Sequence, residues 1–154
     1  MKKCLLLFLL LYPLISGAQS FVQVGPAAYP MGAWGGEVVG DFHVANLASK
    51  LSFGVGAMAF GNLSETHDEP DPGKQVGCVY VAPQVGLHYL ISSKFDLYLR
   101  GGAGLLAEKK EDNEMNKKFM YNGVLGAGLS IWPHVGIYAE GGLPFSSAGL
   151  RFRF

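Results

Sequence analysis

From residue 20 onward apolar and polar positions alternate. Over 119–131 the odd positions are Phe119, Tyr121, Gly123, Leu125, Ala127, Leu129 and Ile131. The even positions, Met120, Asn122, Val124, Gly126, Gly128 and Ser130, are mostly small or polar. Over 95–105 the odd row is Phe95, Leu97, Leu99, Gly101, Ala103 and Leu105, and the even row is Asp96, Tyr98, Arg100, Gly102 and Gly104. Val135, Ile137 and Ala139 alternate with Gly136, Tyr138 and Glu140. Val79, Val81, Val85, Leu87 and Tyr89 alternate with Tyr80, Ala82, Gln84, Gly86 and His88. A period of two marks strands whose faces meet different surroundings. The pattern predicts strands near 20–27, 33–44, 51–61, 76–90, 95–107, 118–132, 135–142 and 147–154. Short turns fall at 46–50, 92–94 and 133–134. Long polar connections fall at 62–75 (NLSETHDEPDPGKQ) and 108–117 (EKKEDNEMNK). Pro26 and Pro83 interrupt two of the strands, because proline cannot donate to a ladder.

The same alternation fits two barrels. A soluble, lipocalin-like barrel turns its apolar row inward around a ligand, whereas a membrane barrel turns it outward to lipid. Parity alone does not choose between them. Three features favour the membrane. Gly and Ala crowd the polar face, which suits the narrow interior of eight strands. Aromatics gather near the strand ends: Tyr29, Trp34, Phe119 and Tyr121 toward the long loops, Tyr89, Phe95, Trp132 and Phe154 toward the short turns. Two such groups match the aromatic girdles of a bilayer protein. The long loops are heavily charged and the strands are not. The expectation is an all-β, eight-stranded antiparallel up-and-down transmembrane β-barrel, with both termini on the short-turn side.

Residues 1–18 read as an address. Lys2 and Lys3 make a positive start, 4–15 is an apolar run containing Tyr12 and Pro13, and Ser16-Gly17-Ala18 places small residues before Gln19. This is the layout of a secretory signal peptide, and the run is too short to span a bilayer as a helix. Cys4 precedes the apolar run, where a lipidated cysteine would follow it. Removal of 1–18 leaves a single barrel domain at 19–154. Losing Lys2 and Lys3 turns a balance of 12 basic and 12 acidic residues into 10 against 12, near −2, and leaves Cys78 as the one thiol. The chain has 154 residues, 16% charged and 12% aromatic, which excludes a disordered chain. Without a basic excess there is no field to hold nucleic acid. Two cysteines build neither a disulfide scaffold nor a four-thiolate zinc site.

The leader, the eight alternating segments and the final strand Ala148-Gly149-Leu150-Arg151-Phe152-Arg153-Phe154 together resemble the small OmpA/OmpX-type outer-membrane β-barrels of Gram-negative bacteria. The resemblance is one of layout and covers 19–154. It implies residence in the outer-membrane lipid bilayer, no cofactor, and short periplasmic turns with longer external loops. It also implies that Leu150, Phe152 and Phe154, on one face of the last strand, are the signal read by the outer-membrane assembly machinery. The role implied is structural or interactive, with loops 62–75 and 108–117 offered to an extracellular ligand.

In such a barrel the inward set is Glu37, Asp41, His43, Gln84, His88, Asp96, Tyr98, Arg100, Asn122, Tyr138, Glu140, Arg151 and Arg153. Acids and bases are both present, and buried charges are tolerable when paired. Arg100 with Glu140, and Arg151 or Arg153 with Glu37 or Asp41, are the expected partners across the lumen. The width of eight strands favours a packed polar filling over a gated pore or proton path.

Chemistry is otherwise sparse. Some eight-stranded outer-membrane barrels act on lipid A. The deacylase type needs His and Ser two apart, but His43, His88 and His134 are followed at that offset by Ala45, Leu90 and Gly136. The acyltransferase type uses loop His, Asp and Ser; Ser64, His67, Asp68 and Asp71 share one loop without a held geometry. His67, Asp68, Glu69 and Asp71 lack the ligand spacing of a calcium loop and read as a solvated acidic segment. Asn62-Leu63-Ser64 fits the N-glycosylation triplet, a pattern short enough to arise by chance. Gly101-Gly102-Ala103-Gly104 lacks the Lys-Ser/Thr of a phosphate-binding loop. Cys78 falls on the inward row, where it packs as a small apolar group.

Overall fold

The computed structural model describes residues 20–29, 33–63, 75–110 and 115–154. The leader, Ser64, His67, Asp68, Glu69 and Asp71 lie outside the described residues. Eight strands follow in order: β1 (Phe21–Tyr29), β2 (Ala33–Ala48), β3 (Leu51–Leu63), β4 (Gln75–Leu90), β5 (Phe95–Lys110), β6 (Met115–Ser130), β7 (Val135–Leu143) and β8 (Ser146–Arg153). Each pairs antiparallel with the next, and β8 returns to β1, closing the barrel. Closure leaves no sheet edge within the wall, which is how a β structure satisfies its backbone in lipid.

The strands differ from the expected ones at their ends. β2 runs on to Ala48 through two irregularities, at His43/Ala45 and Asn46/Ala48. The charged segment 108–117 is mostly hairpin. β5 and β6 stay in register through Glu108↔Asn116 and Lys109↔Met115, so only 111–114 falls between them. The polarity of this segment hides the ladder, because a hairpin beyond the apolar belt has no apolar row to show. Only Gly123–Ser130 of β6 pairs with β7, so the β5–β6 tip rises above its β7 neighbour.

Both prolines leave the trace their missing N–H requires. Pro26 pairs with Gly36 of β2, but the β1–β8 ladder breaks between Val24↔Leu150 and Ala27↔Ser147. Pro83 pairs with Ala57 of β3, and the β4–β5 ladder breaks between Val81↔Leu105 and Gln84↔Gly102. Each proline loses the ladder only on the side to which its backbone groups point, because in an antiparallel sheet the N–H and C=O of one residue face the same neighbour.

Two short turns share one geometry. The Ile91 and Ser92 amides both donate to the Phe95 carbonyl at 3.1 Å, and the Ile131 and Trp132 amides donate to Val135 at 3.0 and 2.9 Å. The Phe154 amide donates to the Ser20 carbonyl at 3.0 Å, pinning the chain end to the start of β1.

Candidate functional site

The described interior residues separate into two layers. At the short-turn end, Asp41 and His88 face each other with Nε2 3.1 Å from Oδ2. Arg151 Nη1 donates to both oxygens of Asp96, at 2.9 and 2.7 Å, and Arg153 Nη2 donates to the same carboxylate. The Arg151 guanidinium lies 4.3 Å from the centroid of Phe21 and 4.6 Å from that of Tyr98, which adds cation–π attraction. One step further in, Arg100 pairs with Glu140 and donates to Gln84 Oε1 at 3.3 Å. The Tyr98 hydroxyl donates to Glu140 at 2.7 Å and accepts from Gln23 at 3.2 Å. Arg100 and Arg151 are each 1% exposed, so their pairs are removed from bulk water. Glycines make the room. A Cβ on Gly126 would overlap the Tyr98 ring, and one on Gly128 would overlap the Arg151 guanidinium.

The partners of the C-terminal arginines differ from the expected ones. Arg151 and Arg153 both take Asp96 of β5 rather than Glu37 or Asp41. Asp41 is held by His88. Glu37 accepts from the Tyr138 hydroxyl at 3.0 Å and from Ser147. The reason is height in the barrel. Glu37 pairs with Phe60 on the neighbouring strand, at the upper limit of the polar half, whereas Arg153 lies opposite Phe21 near the turns. Closure of β1 on β8 makes these elements neighbours without putting those side chains at one level. Glu37 Oε2, Glu140 Oε1 and the Nε atoms of Arg100, Arg151 and Arg153 have no protein hydrogen-bond partner among the described residues.

Toward the long loops the filling changes character. Ala27, Val39, Met58, Phe60, Cys78, Tyr80, Ala82, Leu106 and Phe145 form one buried apolar cluster, with Tyr29 and Met120 packed against it. Phe145, from the β7–β8 turn, folds into the barrel mouth. Its ring centroid is 4.8 Å from Phe60, 5.1 Å from Tyr80 and 5.6 Å from Tyr29. The interior is therefore mostly ionic toward the turns and mostly apolar toward the loops, so the expected polar filling accounts for only part of it. Tyr29, assigned above to the outer aromatic group, instead turns inward. Asn62 is buried on β3, which argues against a glycan there. Met58 and Phe60 are not legible as inward residues in the sequence, because β3 (LSFGVGAMAFGNL) has small residues on both rows. Its register with β4 reveals them: Phe60 pairs with Tyr80 and Met58 with Ala82. Phe145 sits in a turn, where periodicity says nothing.

The outer wall reverses the usual soluble arrangement. Val38, Phe42, Val55, Val81, Val85, Leu99, Leu105, Leu125 and Ile137 all point outward, with Leu125 63% exposed. Trp34, Phe119 and Tyr121 stand outward near the loop end, and Tyr89, Trp132 and Phe154 near the turns. Leu150, Phe152 and Phe154 share the outward face of the final strand. A soluble lipocalin-like barrel requires the opposite faces, so that alternative is excluded. An apolar belt between two aromatic rims is the surface a bilayer demands.

No protein-family model matches the chain, and no curated protein matches it in sequence. Solved structures do resemble it. One is Ail, the attachment invasion locus protein of Yersinia pestis, in complex with the heparin analogue sucrose octasulfate. It has a TM-score of 0.52 and 15% identity over 88% of this chain and 95% of that one. Another is a de novo designed transmembrane β-barrel, with a TM-score of 0.51 and 16% identity over the same shares. At these identities the likeness is one of fold. The chain is an eight-stranded, all-antiparallel transmembrane β-barrel of the kind found among small outer-membrane proteins.

Proposed function

We propose that this chain is an integral outer-membrane protein of a Gram-negative bacterium, exported through a leader at 1–18 that is then removed. Its barrel acts as a closed membrane anchor that presents external hairpins, and neither conducts solutes nor catalyses a reaction. The single observation that carries this reading is the interior: Phe145, Phe60 and Tyr80 fill the loop end, and the ion pairs of Asp96, Arg100 and Glu140 fill the turn end. A lumen packed from both ends supports anchoring over transport. Leu150, Phe152 and Phe154 serve as the assembly signal, and the loop end, with 62–75 and 108–117, takes the external ligand. A barrel of this fold can hold one, as the complex of Ail with sucrose octasulfate illustrates.

The test is single-channel recording on the refolded barrel in planar bilayers, with gel migration before and after boiling as the check on folding. A heat-modifiable band with no unitary conductance supports the reading. A heat-modifiable band with steady conductance steps overturns it in favour of the channel. A lipid A mass shift on deletion of the gene would make the chain a lipid-modifying enzyme instead.

A further inference from the structure

The outward strand positions among the described residues are apolar or uncharged polar with two exceptions, Lys109 on β5 and Lys117 on β6. They sit on one hairpin face, because Ala107 pairs with Lys117 and Lys109 with Met115, which makes the two ammonium groups diagonal neighbours. The acid of this region points the other way: Glu108 is on the inward row and pairs with Lys118 at 2.7 Å. Directly below the lysines lie Leu105, Phe119 and Tyr121, the last 75% exposed and in edge-to-face contact with Phe119. This is the height at which headgroups meet hydrocarbon.

Lower down, the outer wall is hollowed from this strand pair across to β3. Gly101 and Gly123 face each other on the outer wall and form the β5–β6 side of an apolar groove of about 470 Å³, which runs on past Leu99 to Val85 and Leu87 of β4 and Phe53 of β3. Gly123 is six residues from Lys117, about 20 Å along a strand, which at the usual tilt is about 15 Å along the membrane normal and about as much around the barrel wall. Half of a bilayer's hydrocarbon core is about 15 Å. Two cationic side chains thus stand one leaflet's depth above the β5–β6 edge of an apolar groove, which an acyl chain reaches by following the tilted strands.

We propose that the outer face of β5–β6 is a binding site for an anionic, phosphate-bearing lipid of the loop-side leaflet. Lys109 and Lys117 receive the headgroup phosphate, and an acyl chain lies past Ala103 into the groove over Gly101 and Gly123. A free polyanion would use the lysines and leave the groove unexplained, so the lipid accounts for both halves. The inference rests on the membrane reading above, and its test keeps the two separable.

Barrel refolded into vesicles of phosphatidylcholine with or without phosphatidylglycerol is extracted in mild detergent, and its retained lipids are counted by native mass spectrometry. Wild type retains phosphatidylglycerol in preference to phosphatidylcholine. Lys109→Gln with Lys117→Gln lowers that preference on the order of tenfold at low salt, since each lysine near an anionic surface contributes appreciably. Lys50→Gln with Lys94→Gln, at the turn rim, leaves it unchanged. Equal preference in both double variants, or none in wild type, overturns the proposal. Gly123→Leu fills the groove without a clash, because the nearest atom to a Cβ there is the Arg100 carbonyl oxygen at 4.0 Å. It lowers total lipid retention, and unchanged retention overturns the groove's part. Heat-modifiable migration is followed throughout; its absence in wild type refutes the membrane reading and not merely the lipid site.

Discussion

At the turn end of the lumen one carboxylate, Asp96, sits between Arg151 and Arg153; at the loop end one ring, Phe145, sits among Phe60, Tyr80 and Tyr29. Both fill a space a few side chains wide, by different physics. Ion pairs in a dry interior are directional, and each partner is costly once the other is gone. Apolar side chains need only the right volume and shape. The polar half also ties together strands distant in sequence: β5 to β8 through Asp96, β5 to β7 through Arg100, and β2 to β7 and β8 through Glu37. A register slip in any of them would leave buried charges unpaired.

Arg100→Ala leaves Glu140 buried without its cation and costs about 3 to 5 kcal/mol. Phe145→Ala opens a cavity at the barrel mouth, at a similar cost of about 3 to 5 kcal/mol. The halves separate on rescue. Arg100→Met combined with Glu140→Leu recovers most of the loss, because removing both charges removes the penalty. Phe145→Leu recovers part of its loss by volume alone. Urea unfolding in vesicles, read by heat-modifiable migration, measures all four; a double variant no better than Arg100→Ala would show that the polar half depends on something other than pairing.

A smaller effect tests the wall between lumen and lipid. Leu125→Arg places on the outer face the kind of side chain the lumen accepts at Arg100, at a cost of about 2 to 4 kcal/mol near mid-bilayer. Normal assembly of that variant would mean the faces are reversed. The smallest change is Lys118→Gln, which removes the partner of Glu108 at the exposed hairpin and shifts stability by about 1 kcal/mol or less. A larger shift in the same unfolding assay would show that the hairpin tip is part of the cooperative barrel.

Much of the wall is legible in the alternation of residues alone. β4 to β7 alternate cleanly enough to assign both faces, so Asp96, Arg100, Glu140 and His88 on one side and Leu99 and Leu125 on the other follow from parity. β3 resists, since small residues on both rows erase the contrast. The β5–β6 tip resists for the opposite reason: it is polar on both rows because it lies beyond the apolar belt.

Periodicity by itself determined the element type, the eight strands and most of the outward row, because these depend on residues two apart. It also determined that acids and bases share the inward row. Which acid meets which base was decided by the closed barrel alone. Heights around a closed sheet depend on register accumulated strand by strand, so Arg151 and Arg153 meet Asp96, 55 and 57 residues away. Closure also decided that a turn residue, Phe145, would seal the loop end, since only there do β1, β3, β4 and the β7–β8 turn come within reach of one ring.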